Sequence, residues 1–477
     1  MSTPEENLRQ VRLEKLKQLK KLGINPYPTK FNCEEIGKIR EKEIGSQVLA
    51  AGRIMAMRGH GKMTFADLVD GTGKIQIGFK FDELGEENYS LLGYLDIGDF
   101  LGVKGELIKT QAGELTILVK DFTILSKSLR PLPSTWYGLK DVEERYRRRY
   151  LDLIMNPTTK KVFETRSQII KAMREFLDKK GFLEVETATL QPLYGGANAR
   201  PFTTHHNSLD IDLYLKISDE LYLKRLIVGG FDRVYEIGKD FRNEGMDKNH
   251  NPEFTMMECY CAYADYNDMM ELTENMVEFI AQEVLGKTKI TYQGQEIEFK
   301  APWKRMTMKK GLKEYAGLDV DKLSDDQLLS AIKKHNLKYE GKPTFATLFE
   351  IVEPKLIAPT FVIDFPKETT SLCKPKANDP DIIERFEPYI AGREIGNAYS
   401  ELNNPLVQKE FFEQQVEAKE SGDEEAHPMD SDFVEALEYG MPPTGGLGIG
   451  VDRLVMLLTD SPTIRDVILF PTMRLEK

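Results

Sequence analysis

Cysteine, tryptophan and histidine are scarce in this chain. Four cysteines, Cys33, Cys259, Cys261 and Cys373, among 477 residues provide no disulfide framework, which fits a reducing compartment. Cys259 and Cys261 would share one strand face, but no further ligands converge on them in sequence, so core cysteines are expected rather than a metal site. The six histidines are scattered without ligand spacing. No apolar run approaches the ~18 residues that a membrane helix requires. The charged opening segment MSTPEENLRQVRLEKLKQLKKLG lacks the apolar stretch of a secretory signal. Positive charge is in deficit too: 65 lysines and arginines against 77 acids leave a net charge of −12, so any nucleic acid must be met by local basic surface. No Walker loop, GxSxG, HExxH or paired CxxC occurs, which leaves nucleophile and zinc chemistries unsupported. The expectation is a cytoplasmic protein without membrane attachment.

What is present suffices for a large core, with 41% hydrophobic and 30% charged residues. At about 150 residues per domain, the length allows two or three domains. Residues 1–30 read as a basic amphipathic helix. Ser2, Thr3 and Pro4 open it, Leu8, Val11, Leu16, Leu19 and Leu22 form an apolar stripe that should dock it, and Gly23 and Pro26 stop it. Its other face carries Arg9, Arg12, Lys15, Lys17, Lys20 and Lys21, either a solvated face or a phosphate-binding strip. Residues 46–128 change to short strands with turns at Asp70-Gly71 and Ala112-Gly113, the pattern of a small barrel of the oligonucleotide-binding (OB) type. In KIQIGFK, inward Ile75, Ile77 and Phe79 turn Gln76 to the outer face. For Phe65 either parity is open; facing out near Arg58 and Gln76, it would offer a stacking surface to single-stranded bases. Residues 129–145, with Pro131 and Pro133, read as a linker. Arg145, Arg147, Arg148 and Arg149 concentrate positive charge at the junction. Residues 146–477 read as one α+β domain, an antiparallel sheet flanked by helices, with a helical insertion at about 304–340. An exposed acidic helix or loop is expected at 421–432.

Three segments concentrate chemistry. In RVYEIGKDFRNEG, residues 233–245, strand parity puts Glu236, Arg242 and Glu244 on one face. In the following strand Phe254, Met256, Glu258 and Tyr260 share a face. So many charged and aromatic groups on one surface imply a charged ligand. In RFEPYIAGREIGNAYSELNNP, Glu387 and Glu394 form a carboxylate pair of the kind that holds hard divalent cations beside phosphates. The strand after them places Asn397, Tyr399 and Glu401 together. In PPTGGLGIGVDRLVMLL, residues 442–458, glycines permit close backbone approach and Arg453 starts an apolar helix where a phosphate could be gripped.

At these segments the chain resembles the class II aminoacyl-tRNA synthetases, and more closely the bacterial-type lysyl-tRNA synthetases. FRNEG with HNPEFTMME is similar to the family's second motif, GLGIGVDRLVM to its third, and REIGNAYSELN to its lysine-pocket segment. LYLKRLIVGGFDRVYEIG, YGGANARPFTTHHNSLD, GKMTFADLVD and LRPLPSTWYGLKDVEERYRRRYLDL extend the resemblance over essentially the whole chain. It implies ATP-dependent ligation of L-lysine to tRNA(Lys) through a lysyl-adenylate, by a homodimer with Mg²⁺ as cofactor. Arg242 would contact the ATP α-phosphate and the lysine carboxylate, Glu244 the adenine, and Phe254 would stack on that ring. Arg453 would cover the ring's other side and reach the γ-phosphate, with His250 near the phosphate tail and Asn251 also binding ATP, and Glu387 and Glu394 would hold magnesium. Glu220 and the Gly196 backbone would take the lysine α-ammonium, and Glu401 and Tyr260 the ε-ammonium. Glu258, Asn397 and Tyr399 would complete the pocket, while Arg58, Phe65 and Gln76 would read the central anticodon uridine.

The residues agree with those roles chemically. Adenylate formation needs positioning and cations rather than a protein nucleophile, and a substrate with two ammonium groups wants several carboxylates. The chain departs from the family pattern at Ala188, where the first motif has a proline after VET, at Asn249, where an arginine is common, and at TTSLCK near residue 370. Two alternatives stand beside the main reading. One is lysylation of a protein such as elongation factor P, against which the barrel argues. The other is a non-catalytic RNA-binding paralogue, which predicts lost site residues.

Overall fold

The computed structural model describes residues 3–133, 139–339, 343–422, 426 and 428–475. Ser2, residues 134–138 of the expected linker, residue 340 of the expected insertion, and residues 423–425 and 427 of the expected acidic stretch lie outside the described residues. The chain divides into two compact units, Met1–Asn156 and Pro157–Lys477.

The first unit opens with helix α1, Pro4–Lys21. The Thr3 side chain accepts the Glu6 N–H and the Glu6 carboxylate accepts the Thr3 N–H, a reciprocal cap that satisfies two otherwise orphaned donors. The apolar stripe does not dock as its spacing predicted: Leu8, Val11 and Leu22 are exposed, while Leu19 and Arg12 are buried. Arg12 donates to the carbonyls of Ile97, Ser128 and Arg130, and Lys15 pairs with Asp96 at 2.8 Å. Buried carbonyls that need donors therefore orient the helix more strongly than its leucines do. Two of the six expected phosphate-facing cations are consumed in docking, leaving Arg9, Lys17, Lys20 and Lys21 exposed.

Five strands follow: β1 (Gln47–His60), β2 (Met63–Val69), β3 (Lys74–Lys80), β4 (Phe100–Lys109) and β5 (Leu115–Ser126). They close into a barrel in the order β1-β2-β3-β5-β4, with β3 and β5 parallel. Asp70 makes the β2–β3 turn, its carboxylate accepting the N–H groups of Thr72 and Gly73. Alternation fills the barrel with Ala66, Leu68, Ile75, Ile77, Phe79, Ile117 and Val119. Thr64, Ala66 and Leu68 are the buried parity of β2, so half-buried Phe65 lies on the outer face. The junction arginines are all engaged by carboxylates: Arg145 and Arg149 by Asp152, Arg147 by Glu143 and Arg148 by Glu144.

The second unit is built on one sheet. Its main path runs through β6 (Leu183–Glu184), β7 (Arg233–Phe241), β8 (Glu253–Ala262), β9 (Lys304–Thr307), β10 (Thr360–Pro366), β11 (Asp379–Ile390), β12 (Gly396–Ser400) and β13 (Thr444–Gly450), while the short strands Pro375–Lys376 and Arg393–Glu394 pair with β11 off that path. The main-path strands lie in the order β9-β10-β11-β12-β13-β8-β7-β6, antiparallel except for β9 with β10 and β7 with β6. The expected insertion thus begins with an edge strand of the main sheet. Each face carries its own core, and alternation along single strands feeds both. Met257 and Cys259 of β8 pack with Met173, Phe176 and Leu177 of helix α2 (Pro157–Lys179) and with Met276 and Ile280 of helix α3 (Tyr266–Leu285). Tyr260 and Ala262 pack on the other face with Leu223 and Ile227 of helix α4, residues Glu220–Val228. This second face is where the candidate site lies. No helix among the described residues is long and apolar enough to cross a membrane.

Candidate active site

Period-2 alternation delivers Phe254, Met256, Glu258 and Tyr260 from β8, and Asn397 and Tyr399 from β12, to one cavity of about 360 Å³. Glu387 from β11, Glu220 from the first turn of α4, and Glu401 just past β12 also line it. Arg453 enters from the helix Val451–Leu458, α5 here, directly after the glycine-rich β13. The single strand face expected for Glu236, Arg242 and Glu244 in RVYEIGKDFRNEG needs one correction. Strand β7 ends at Phe241, so Arg242 and Glu244 reach the cavity from the loop, and Glu236 does not line it. Glu236 instead accepts the Lys216 ammonium at 2.6 Å and the Thr187 N–H at 3.0 Å.

At one end the Arg242 guanidinium stands 5.1 Å from the Phe254 ring centroid, and its Nε is buried without a hydrogen-bond partner among the described residues. Arg453 donates to the Glu394 carbonyl at 2.9 Å, and its Nη2 lies 3.3 Å from His250 Nε2. Asp247 holds the other ring nitrogen of His250 at 2.9 Å. The Asn251 amide donates to the Glu253 carbonyl, while Asn251 Oδ1 and Asn249 Oδ1 have no donor among the described residues. Glu387 accepts Arg385 Nη2 at 2.5 Å on one oxygen and the Tyr389 hydroxyl at 2.7 Å on the other. Burial pushes the Glu387 carboxyl up to about 7, against the pull of Arg385 and with the charge of Glu394 adding to the rise.

The other end is a nest of carboxylates. Glu258 accepts from Ser218 Oγ, the Asp219 N–H and the Tyr260 hydroxyl. Burial, followed by the charges of Asp219 and Asp240, raises its pKa well above the usual carboxylate range. Glu220 accepts the Tyr399 hydroxyl at 2.6 Å and the Lys224 ammonium at 2.5 Å. Glu401 pairs with Lys224 through Oε2, and its Oε1 is buried with no donor among the described residues. A Cβ on Gly446 would come within 2.0 Å of that oxygen, so the carboxylate fits only over a glycine. Gly196, at φ +90°, likewise backs onto Ser218 and Glu220, where a side chain would collide.

On the barrel, Arg58 Nη2 donates to Gln76 Oε1 at 2.5 Å, and the Arg58 guanidinium stands 6.0 Å from the Phe65 centroid. Gln76 has the outward parity its strand pattern predicted but is buried, because Arg58 covers one end of its amide and Thr116 Oγ1 accepts from the other at 2.8 Å.

Residues 141–474 match the family profile of the class II tRNA synthetases (D, K and N), and residues 48–125 match that of the OB-fold nucleic acid binding domain. The chain belongs to the class II tRNA synthetases. It is 56% identical to the lysine–tRNA ligase of Pelotomaculum thermopropionicum, with 98% of this chain and 95% of that protein covered. It is 55% identical to that of Carboxydothermus hydrogenoformans, covering 97% of each. Identity to that of Moorella thermoacetica is 54%, covering 98% of each.

In this synthetase the cavity gathers Gly196, Glu220, Arg242, Glu244, His250, Asn251, Phe254, Glu258, Tyr260, Glu387, Glu394, Asn397, Tyr399, Glu401 and Arg453. Sequence reasoning missed Arg385, which donates to the Asn397 side chain, the Thr369 carbonyl and Glu387 at once. Its signal was alternation with Glu387 and Tyr389 along β11. Lys224 was missed as well, since a glutamate four residues before a lysine on a helix reads as a surface pair. TTSLCK has a role in placing Glu401: Cys373 bridges to that residue, and the Lys374 and Leu402 N–H groups bond to the carbonyls of Ser400 and Leu372.

Proposed function

We propose that this chain joins L-lysine to tRNA(Lys) at the expense of ATP, through a lysyl-adenylate. The observation that carries the choice of lysine is Glu401 Oε1, an unpartnered buried carboxylate oxygen at the floor of the cavity. Such an atom calls for a cation. The class II family named above also includes aspartate and asparagine enzymes, but beside Glu401 a substrate carboxylate would meet, among the described residues, only cations that are already engaged. Lys224 is held by two glutamates, and Arg385 by Glu387, Asn397 and Thr369.

In the first half-reaction a lysine carboxylate oxygen attacks the α-phosphorus, the bond to the bridging oxygen breaks, and pyrophosphate leaves. Arg242 serves both partners, steadying the attacking carboxylate and balancing charge on the α-phosphate, while Phe254 and Arg453 sandwich the adenine with Glu244 at its edge. Arg453, His250 and Asn251 lie along the phosphates. Glu220 and the Gly196 backbone hold the α-ammonium, Glu401 and Tyr260 the ε-ammonium, with Glu258, Asn397 and Tyr399 closing the pocket. These groups act by position and charge. In the second half-reaction a terminal tRNA hydroxyl attacks the lysyl carbonyl carbon and AMP leaves.

Glu387 and Glu394 suit a hard divalent cation: both are oxygen donors in one cavity, and their charges repel each other without one. Mg²⁺ held there would offset charge on the triphosphate. The barrel, through Arg58, Phe65 and Gln76, reads the anticodon, a part that protein lysylation would not need. Leu183, Leu190 and Leu193 are exposed apolar side chains in and beside the first-motif segment, and they support a homodimer despite Ala188. A cytoplasmic setting fits the unpaired cysteines. Pyrophosphate exchange with each amino acid in turn tests the reading: lysine should support ATP formation, and exchange with aspartate or asparagine instead would overturn it.

A further inference from the structure

Lys224 sits one helical turn after Glu220 on α4 and is fully buried. Its ammonium bridges Glu220 Oε1 and Glu401 Oε2, two carboxylates that come from elements far apart in the chain. The rings of Tyr399 and Phe433 flank it, with centroids 5.7 and 5.9 Å away. Although it touches two lining glutamates, Lys224 is not part of the cavity wall; it meets them from the helix side. Each of these cavity-lining carboxylates is thereby left with one oxygen that Lys224 does not hold. That of Glu220 takes the Tyr399 hydroxyl, and that of Glu401 has no donor among the described residues.

We propose that Lys224 is a positioning residue for amino-acid recognition, a resident ammonium that pairs with one oxygen each of Glu220 and Glu401 so that their second oxygens are presented to the substrate's two ammonium groups. This deepens the lysine-ligase reading and rests on it. The physical need is plain. Two buried carboxylates facing each other without a cation cannot both stay ionised, and one takes up a proton. That proton would occupy the place of the substrate ammonium and would have to leave before lysine could bind. The other groups facing this cluster do not replace the ammonium. From β8 come Glu258 and the Tyr260 hydroxyl, and from β12 the Tyr399 hydroxyl. Cys373 also adjoins the cluster, and from β11 Arg385 is already committed to Glu387. Burial opposes the charge on Lys224, but Glu220 and Glu401 outweigh it and hold its pKa above the ordinary lysine value, while burial raises the Glu401 carboxyl well above its usual range and Lys224 is the group that pulls it back.

The test is Lys224→Met, an apolar side chain of similar length, assayed by lysine-dependent pyrophosphate exchange from pH 6 to 9. Wild-type exchange with lysine comes first, since its absence would sink the lysine reading and leave the Lys224 question moot. Given that exchange, the variant should raise the KM for lysine at least about tenfold at pH 7 and leave the KM for ATP within about twofold. Its lysine KM should then fall as pH rises, by up to about tenfold per unit, because a single carboxyl must lose its proton before binding. A lysine KM with the wild-type value and pH profile would overturn the proposal, as would equal rises for both substrates at every pH. If Lys224→Met does not fold, Lys224→Met is combined with Glu220→Gln, leaving Glu401 as the one carboxylate that residue 224 faced, and compared with Glu220→Gln alone. A steeper pH dependence in the double variant supports the role, and identical profiles overturn it.

Discussion

The carboxylate of Asp452 accepts the backbone N–H of Thr255 at 2.7 Å, tying the helix that carries Arg453 to the strand that carries Phe254. Arg166 of α2 closes the link, donating to Asp452 at 2.5 Å and to Thr255 Oγ1 at 2.9 Å. The two groups proposed to sandwich the adenine are therefore spaced by one buried ionic network.

Asp452→Ala should consequently act on stability and on ATP together. It leaves the Arg166 guanidinium without its carboxylate in a largely buried place, a change that costs about 3–5 kcal/mol. Denaturant unfolding should register that loss. Pyrophosphate exchange should show the KM for ATP rising well above its wild-type value and that for lysine changing less. A stable variant with both constants unchanged would show that the network does not set the adenine site.

Glu401→Gln probes the opposite end of the cavity. The amide keeps the shape over Gly446 but gives up the charge, so the KM for lysine should rise roughly 10- to 150-fold, the range for a charge-assisted hydrogen bond of about 1.5–3 kcal/mol. The KM for ATP should stay put. Equal losses for both ligands would contradict a place for Glu401 at the ε-ammonium.

Asp240 makes stability depend on pH. It is fully buried, neither oxygen has a hydrogen-bond partner among the described residues, and burial, then the charge of Asp219, raises its pKa to about 8. Between the unfolded carboxyl value near ~4 and about 8, the folded chain binds more protons than the unfolded one. Stability from this group is therefore present at low pH and is lost as pH climbs toward 8, by at most about 1.4 kcal/mol per unit. Asp240→Asn should flatten that slope and be the more stable protein at pH 8. Parallel pH profiles in urea unfolding for the two proteins would refute this.

Much of the cavity was legible because a period of two is hard to mistake: Phe254, Met256, Glu258 and Tyr260 had to share a face once that segment was a strand. Arg453 was legible from a glycine run entering an apolar helix. What stayed hidden depended on partners distant in sequence. Glu236 has the parity of Glu258 but is claimed by Lys216. Leu8 and Val11 look like a docking stripe, yet the carbonyls of Ile97, Ser128 and Arg130 draw Arg12 inward instead. Lys224 resembles an ordinary surface cation until Glu401 is brought to it from the far end of the chain.

The barrel invites a separation of its own. Phe65 is half-buried on the outer face beside Arg58, and Gln76 is pinned between Arg58 and Thr116. Stacking of one base on an aromatic ring is worth about 1–3 kcal/mol, so Phe65→Ala should raise the KM for tRNA roughly 5- to 150-fold and leave lysine-dependent pyrophosphate exchange unchanged. Thr116→Val keeps the volume but removes the acceptor that holds the Gln76 amide in one orientation. It should weaken tRNA charging in the same direction and by less, since Arg58 still grips the other end of that amide. Loss of exchange activity in either variant would mean that the substitution disturbs folding rather than recognition, and unchanged charging in both would remove these residues from the anticodon site.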